Sequence, residues 1–175
     1  MRTTLIVTAT VLATVLAAVP PAGAGAPEDA DAIVGLWRTA PGEDGAAIIE
    51  IVRDGDRYRG TIVWLEKPVY GPDEERPGQP KVDLENPDPK LRERPVLGLP
   101  LLEGFVWNAR KHRWEGGTIY DPSNGKTYRC HLTLKDHDTL KVRGYIGFSM
   151  LGRTEIWHRV DRIPGSGSSS TAAGS

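Results

Sequence analysis

The chain has 175 residues, 26% of them charged and 39% hydrophobic, and its 22 Lys and Arg against 23 Asp and Glu leave a formal charge of −1. These proportions exclude wholesale disorder and a multi-span membrane protein, and with no basic excess there is nothing to drive binding to nucleic acid or an anionic membrane.

The amino terminus reads as an export leader. Met1-Arg2-Thr3-Thr4 is a short positive start, Leu5 to Val19 is uncharged and apolar, and Pro20-Pro21-Ala22-Gly23-Ala24 carries small residues spaced for cleavage after Ala24. The apolar stretch is shorter than the ~20 residues a spanning helix needs and ends in two prolines, so no stable membrane span is expected. Removing 1–24 leaves 151 residues, enough for one domain. The leader type implies a bacterium, and export then means the periplasm or the medium. Residues 25–32 are expected to be a flexible linker, 33–163 the folded domain, and the Ser- and Gly-rich 164–175 a flexible tail.

From Ile33 onward, short runs rich in β-branched and aromatic residues alternate with turn residues at roughly 8–12-residue spacing, the signature of an all-β sandwich or barrel. Eight strands are expected: Ile33–Thr39, Ala46–Arg53, Arg57–Glu66, Leu101–Asn108, Arg113–Tyr120, Lys126–Leu134, Thr139–Ile146 and Leu151–Val160. Period-two patterning is clearest in the seventh, where Leu140, Val142, Gly144 and Ile146 share a face against Lys141, Arg143 and Tyr145. Eight antiparallel strands in chain order favour an up-and-down barrel, because closure removes exposed edges, with a sandwich as the alternative. Cys130, the one cysteine, alternates with Tyr128 and Leu132 and is expected to be a buried, inert thiol.

The segment 67–100 differs in kind. It holds eight of the 14 prolines, and connections of such length are functional or disordered. Tyr70–Gln79 reads as a mobile polar excursion, whereas the spaced apolar residues of Val82–Arg92 suit a lid folded back on the barrel, with Asp88 capping a short turn that starts at Pro89.

Gly35-Leu36-Trp37 at the start of an eight-strand meander resembles the G-x-W signature of lipocalins. That resemblance implies a Trp37 plugging one barrel end beneath a basic residue of the last strand, Arg159 or Arg153. A wider resemblance spans about Gly35 to Val160. Asp83…Asn86-Pro87-Asp88-Pro89…Leu91-Arg92…Arg94-Pro95…Gly98 is followed by Trp114-Glu115-Gly116-Gly117-Thr118-Ile119-Tyr120-Asp121-Pro122 and Asn124-Gly125-Lys126-Thr127-Tyr128. Then come Leu140…Arg143-Gly144-Tyr145 and Leu151-Gly152-Arg153-Thr154-Glu155…Trp157. In that order these motifs are similar to the bacterial family called domain of unknown function 2147, which implies an exported, lipocalin-like β-barrel without an established activity.

A small eight-strand barrel is either filled by side chains or holds one small ligand. Trp64, on a face with Tyr58, Gly60, Ile62 and Glu66, and Trp114, on a face with Gly116, Thr118 and Tyr120, are candidates for the lining together with Trp107, Tyr120 and Tyr128. Core packing is the alternative for each, and the preferred one for Trp37 and Trp157. Arg92 or Arg94 at the mouth, and Arg143 and Arg153 on neighbouring late strands, are candidates to hold an anionic group, with Glu155 as the alternative partner of the last two. Asp83, Asn86 and Asp88 are read as organising the connection by pairing with its arginines.

His112, His131, His137 and His158 lack metal-ligand spacing, and Asp83-x-x-Asn86-x-Asp88 lacks the Gly and Glu of a calcium loop, so neither metal nor cofactor is expected. No G-x-S-x-G, cysteine-nucleophile or phosphate-loop motif occurs, and catalysis would require Glu66, Asp121 and His131 to converge through folding. The expectation is a non-catalytic barrel that takes up a small apolar or amphipathic molecule. The alternatives are a solid barrel docking an unknown protein of the cell envelope and, less favoured, an enzyme acting on a small ester or lipid.

Overall fold

A computed structural model describes residues 28–145 and 152–165. The expected leader 1–24, most of the tail, and the ends assigned to the seventh and eighth strands at Ile146 and Leu151 lie outside the described residues. Eight strands form a closed antiparallel barrel in chain order: β1 (Gly35–Arg38), β2 (Ala47–Asp54), β3 (Arg57–Leu65), β4 (Pro100–Asn108), β5 (Arg113–Asp121), β6 (Lys126–Asp136), β7 (Thr139–Tyr145) and β8 (Gly152–Val160). The barrel, not the sandwich, is the fold, with β8 returning to pair Trp37 with Arg159.

One end of the barrel is solid. Trp37, Ile51, Tyr58, Phe105, Trp114, Cys130, Leu132 and Leu140 are all buried there in one cluster. The described part of the segment expected to be a flexible linker, 28–32, closes this end instead. Glu28–Ile33 forms a 3-10 turn with Ala30 and Ile33 buried. Its order has a physical cause, because polar donors that the barrel buries need acceptors and the turn supplies them. Trp114 Nε1 donates to the Ala30 carbonyl (2.9 Å), Trp37 Nε1 to the Ile33 carbonyl (2.8 Å), and the Tyr58 hydroxyl to Asp31 Oδ1 (2.7 Å).

Arg159 completes the seal. Its guanidinium lies 4.2 Å from the Trp37 ring centroid and donates to the carbonyls of Ala32 (2.7 Å), Val34 (3.0 Å) and His137 (2.9 Å). The G-x-W spacing thereby gains a reason. Gly35 has φ +132°, and a Cβ there would stand 2.8 Å from Arg159 Nη1, so only glycine lets the guanidinium pass over Trp37.

Single extra residues break the alternation of several strands. Ile48 pairs with Trp64 but Ile49 pairs with Ile62, so Val63 is bulged. Trp114 pairs with Leu132 but Gly117 pairs with Cys130, which places a second bulge at Glu115–Gly116. A bulge exchanges the faces of all residues beyond it, and this decides what lines the interior.

Two outcomes are expected. Arg159→Met keeps the bulk over Trp37 but leaves three carbonyls without their donor, and should lower the unfolding free energy by about 2–4 kcal/mol in urea titrations. Stability should also fall at alkaline pH. Burial, reinforced by Asp31, pushes the Tyr58 hydroxyl from 10.0 up to about 12, and burial pushes the Cys130 thiol from 9.0 up to about 12. Both groups hold their protons more tightly when folded, so their contribution is complete below about pH 9 and is lost as pH rises towards 12. Urea midpoints measured from pH 8 to 12 should decline over that window, and less steeply in Tyr58→Phe.

Candidate functional site: a half-hollow barrel with a built rim

Opposite the solid end the barrel opens into a cavity of about 1140 Å³. Its wall is made of inward residues from the mouth halves of the strands: Ala47 and Ile49 of β2, Ile62 and Leu65 of β3, Leu101 of β4, Ile119 of β5, Tyr128 of β6, and Val142 and Gly144 of β7. Trp157 of β8, itself 1% exposed, reaches this space from the core below.

The strand bulges account for which aromatic residues reach the cavity. Trp64, expected in the lining, is on the outer face: it pairs with Ile48, which pairs with Arg38, whereas the inward register runs through Trp37, Ile49 and Ile62. The Arg38 guanidinium lies 5.6 Å from the Trp64 ring. Trp107 and Trp114 face inward, but at the solid end, in contact with centroids 4.4 Å apart and planes inclined at 46°, and with Tyr58 edge-on to Trp114. Beyond the second bulge, Gly117 and Ile119 take the inward face instead of Gly116 and Thr118. Tyr120 and Tyr128 do line the cavity, Tyr120 at its rim.

The long connection contributes Tyr70, Lys81, Val82, Leu84, Glu85 and Val96 to the same cavity. It is held by a buried polar knot. Asp83, fully buried, accepts from Arg94 Nε (2.9 Å), the Tyr120 hydroxyl (2.7 Å) and Asn86 Nδ2 (2.7 Å), while the Asn86 side-chain oxygen accepts from the Asp88 amide (2.9 Å). Burial, with the Asp83 carboxylate beside it, raises the Tyr120 pKa. Asp88 caps the 3-10 turn Pro89–Leu91 through the Lys90 amide.

The connection also docks on the mouth loops. Lys81 Nζ meets Asp44 at 2.5 Å, and the Glu85 carbonyl sits 1.8 Å from where a Cβ on Gly125 would be, so that position admits glycine alone. The excursion Tyr70–Gln79 is tied back rather than loose, by the amides of Tyr70 and Gly78 bonding to Gln79 and Tyr70 carbonyls (both 2.9 Å) and by the Arg76–Glu93 pair (2.8 Å).

Of the candidate anion-binding arginines, Arg92, Arg94 and Arg143 do not line the cavity, whereas Arg153 does, beside Glu155. Arg92 is exposed and donates to the Asn86 carbonyl (2.8 Å), so it braces the connection. Arg143 lies on the outer face, opposite His131 and Thr154, and donates to Thr154 Oγ1 (2.8 Å). Burial and the cations Arg113, Arg143 and Lys141 lower the His131 pKa.

Glu66, Asp121 and His131 are not brought together. Glu66 binds Arg38 and the Ala46 amide, and Asp121 binds Ser123 and Asn124 in the mouth hairpin. His131 lies five residues along β6 from Lys126, the partner of Asp121, or roughly 16 Å at the rise of a strand.

One interior group was not recognised as such in the sequence. Glu155 pairs with inward Val142 and lines the cavity, accepting from Trp157 Nε1 (3.1 Å) and meeting Arg153 Nε at 3.2 Å. The signal was present in the period-two series Arg153, Glu155, Trp157, Arg159, in which a Trp assigned to the core shares its face with a carboxylate.

A closed eight-strand meander sealed by a Gly-x-Trp and an arginine, with a cup at the other end, is a lipocalin-like barrel. A solved structure described as protein HP1028 from the human pathogen Helicobacter pylori, belonging to the lipocalin family, is similar, with a TM-score of 0.61 and 21% identity over 73% of this chain and 82% of that one. The chain belongs to the family described as uncharacterized protein conserved in bacteria (DUF2147), whose model matches residues 35–159. A comparison with curated proteins finds no match.

The Asp83 knot should govern stability. Asp83→Ala strands the Arg94 charge and leaves buried donors without an acceptor, and is expected to cost about 3–5 kcal/mol in urea unfolding.

Proposed function

We propose that this protein binds a small apolar or amphipathic molecule in the open half of its barrel and does no chemistry on it. The observation that carries this reading is the cavity itself, about 1140 Å³ with a wall dominated by aliphatic and aromatic side chains. Ligand pockets run to roughly 300–1,000 Å³, so there is room for a lipid-like or drug-sized guest. Burial of such a guest would be driven by the apolar area that both partners remove from water.

The separation of Glu66, Asp121 and His131 favours binding over catalysis, since no nucleophile, base and orienting group meet among them. We further propose that binding takes place outside the cytoplasm. The support for this is the leader-like segment Met1–Ala24, with its short charged start, apolar stretch and small-residue cleavage pattern.

Uptake of the neutral fluorophore N-phenyl-1-naphthylamine by the purified protein tests the reading. Saturable enhancement of its emission is expected. Gly144 is inward on β7, and a Cβ there would make only ordinary contacts with Ile119 and Tyr128, at 3.4 and 3.7 Å. Gly144→Trp should therefore fill the cup and weaken uptake at least about tenfold while the protein still folds. Failure of the unmodified protein to bind any apolar probe would refute the reading.

A further inference from the structure

We propose that the molecule held in the cup is a cationic amphiphile, whose amine or ammonium group is bound by Glu155. This rests on the reading of the barrel as a binding cup and adds the chemical class of its occupant.

Register puts the carboxylate inside. Val142, 3% exposed, pairs with Glu155, and paired residues of an antiparallel ladder share a face. Trp157, two residues further along β8, is buried, so the Glu155 carboxylate stands between the apolar floor of the cup and its mouth. A carboxylate in an apolar wall is costly unless its acceptor capacity is used. An ionised carboxylate offers about four acceptor sites. Trp157 Nε1 takes one at 3.1 Å on Oε2, and Arg153 Nε stands 3.2 Å from Oε1, which leaves capacity for a ligand donor.

Arg153 is a weak competitor. Its side chain is 78% exposed, and ion pairs of that kind are solvent-screened and worth little, so a guest ammonium can share or displace it. Gly144 pairs with Arg153 across the ladder and carries no side chain, so β7 sets no side chain beside Glu155 at that position.

The sign of the mouth agrees. Among the described residues lining the cavity, Glu43, Asp44, Glu85, Asp121 and Glu155 outnumber Lys67, Lys81 and Arg153. Two of those cations are already engaged, Lys81 by Asp44 and Lys67 by the Glu43 carbonyl. A concave opening with an acidic excess draws cations in and repels carboxylate amphiphiles such as fatty acids. Tyr128 in the same wall adds an aromatic ring, a surface that favours a cation.

Displacement of N-phenyl-1-naphthylamine by chain-matched competitors below their micelle concentrations tests this: dodecylammonium, dodecanol and dodecanoate at neutral pH. Dodecylammonium is expected to compete about tenfold more strongly than dodecanoate. Glu155→Gln should abolish that preference while keeping uptake of the neutral probe, which also reports that the variant has folded. Arg153→Gln, which removes the competing cation, should widen the preference, and it decides the matter if the Glu155 variant does not fold. Equal or stronger competition by dodecanoate, or a preference untouched in Glu155→Gln, overturns the assignment while leaving the cup reading intact. A protein that takes up neither the neutral probe nor dodecanol overturns the cup reading and the assignment with it.

Discussion

The closed end of the barrel depends on one short segment, Ala30 to Val34, which offers four backbone carbonyls and one carboxylate to donors from the barrel that need partners. Trp114 bonds to Ala30, Tyr58 to the side chain of Asp31, Arg159 to Ala32, Trp37 to Ile33 and Arg159 again to Val34. The donors come from β5, β3, β8 and β1, so the short segment ties four strands together. It also explains how so short a strand as β1, only four residues long, serves to close the barrel. Arg159 gathers β1, β8, the entering turn and the hairpin at His137 around a single half-buried charge, satisfied by three carbonyls and an indole face.

With that end sealed and packed, the barrel is asymmetric along its axis. Trp37, Tyr58, Phe105, Trp107 and Trp114 collect on one side of the midline, and the mouth half sets Tyr120 and Tyr128 among smaller residues such as Ala47, Ile62, Val142 and Gly144. Bulges set this division. Each inserts one residue, turns the strand, and exchanges inside for outside beyond it, so Trp64 is carried out to Arg38 while Leu65 turns in, and Ile119 takes the inward place that regular alternation would give to Thr118. A barrel with the same composition and no bulges would direct a different set of side chains inward.

The long connection shows how a Pro-rich segment without strands becomes a fixed part of the molecule. It buries Asp83 at its centre and satisfies that carboxylate with Arg94, Tyr120 and Asn86, of which Tyr120 belongs to the barrel. A loop anchored by a buried charge has few alternative positions, because moving it would expose the cluster or leave the charge unpaired. Several of its side chains therefore form a definite part of the cavity wall, next to the mouth charges that give the cup its acidic character.

How much of this was legible in the chain follows from the range of the interactions involved. Strand existence and order came through, since alternation and turn residues are local; the Gly-x-Trp start and the late arginines marked the sealed end, although only the fold chose Arg159 over Arg153. Asp83, Asn86 and Asp88 were readable as organisers of their loop, because their partners are mostly close in sequence. The lining was not. Period-two reasoning put Trp64 in the wall and gave Glu155 only as a partner of Arg143 or Arg153, because a single bulged residue such as Val63 leaves no mark in composition, and because the inward placing of Glu155 comes from Val142 across the sheet. The turn at Glu28–Ile33 escaped for the same reason: apart from the nearby Trp37, its order comes from donors on three strands far along the chain. The sequence by itself determined the number of strands, their succession and the place of the long connection, all of which rest on near neighbours. Only the tertiary structure decided which faces turn inward, which end is solid and which charge stands in the cup, because those depend on register between residues far apart in the chain.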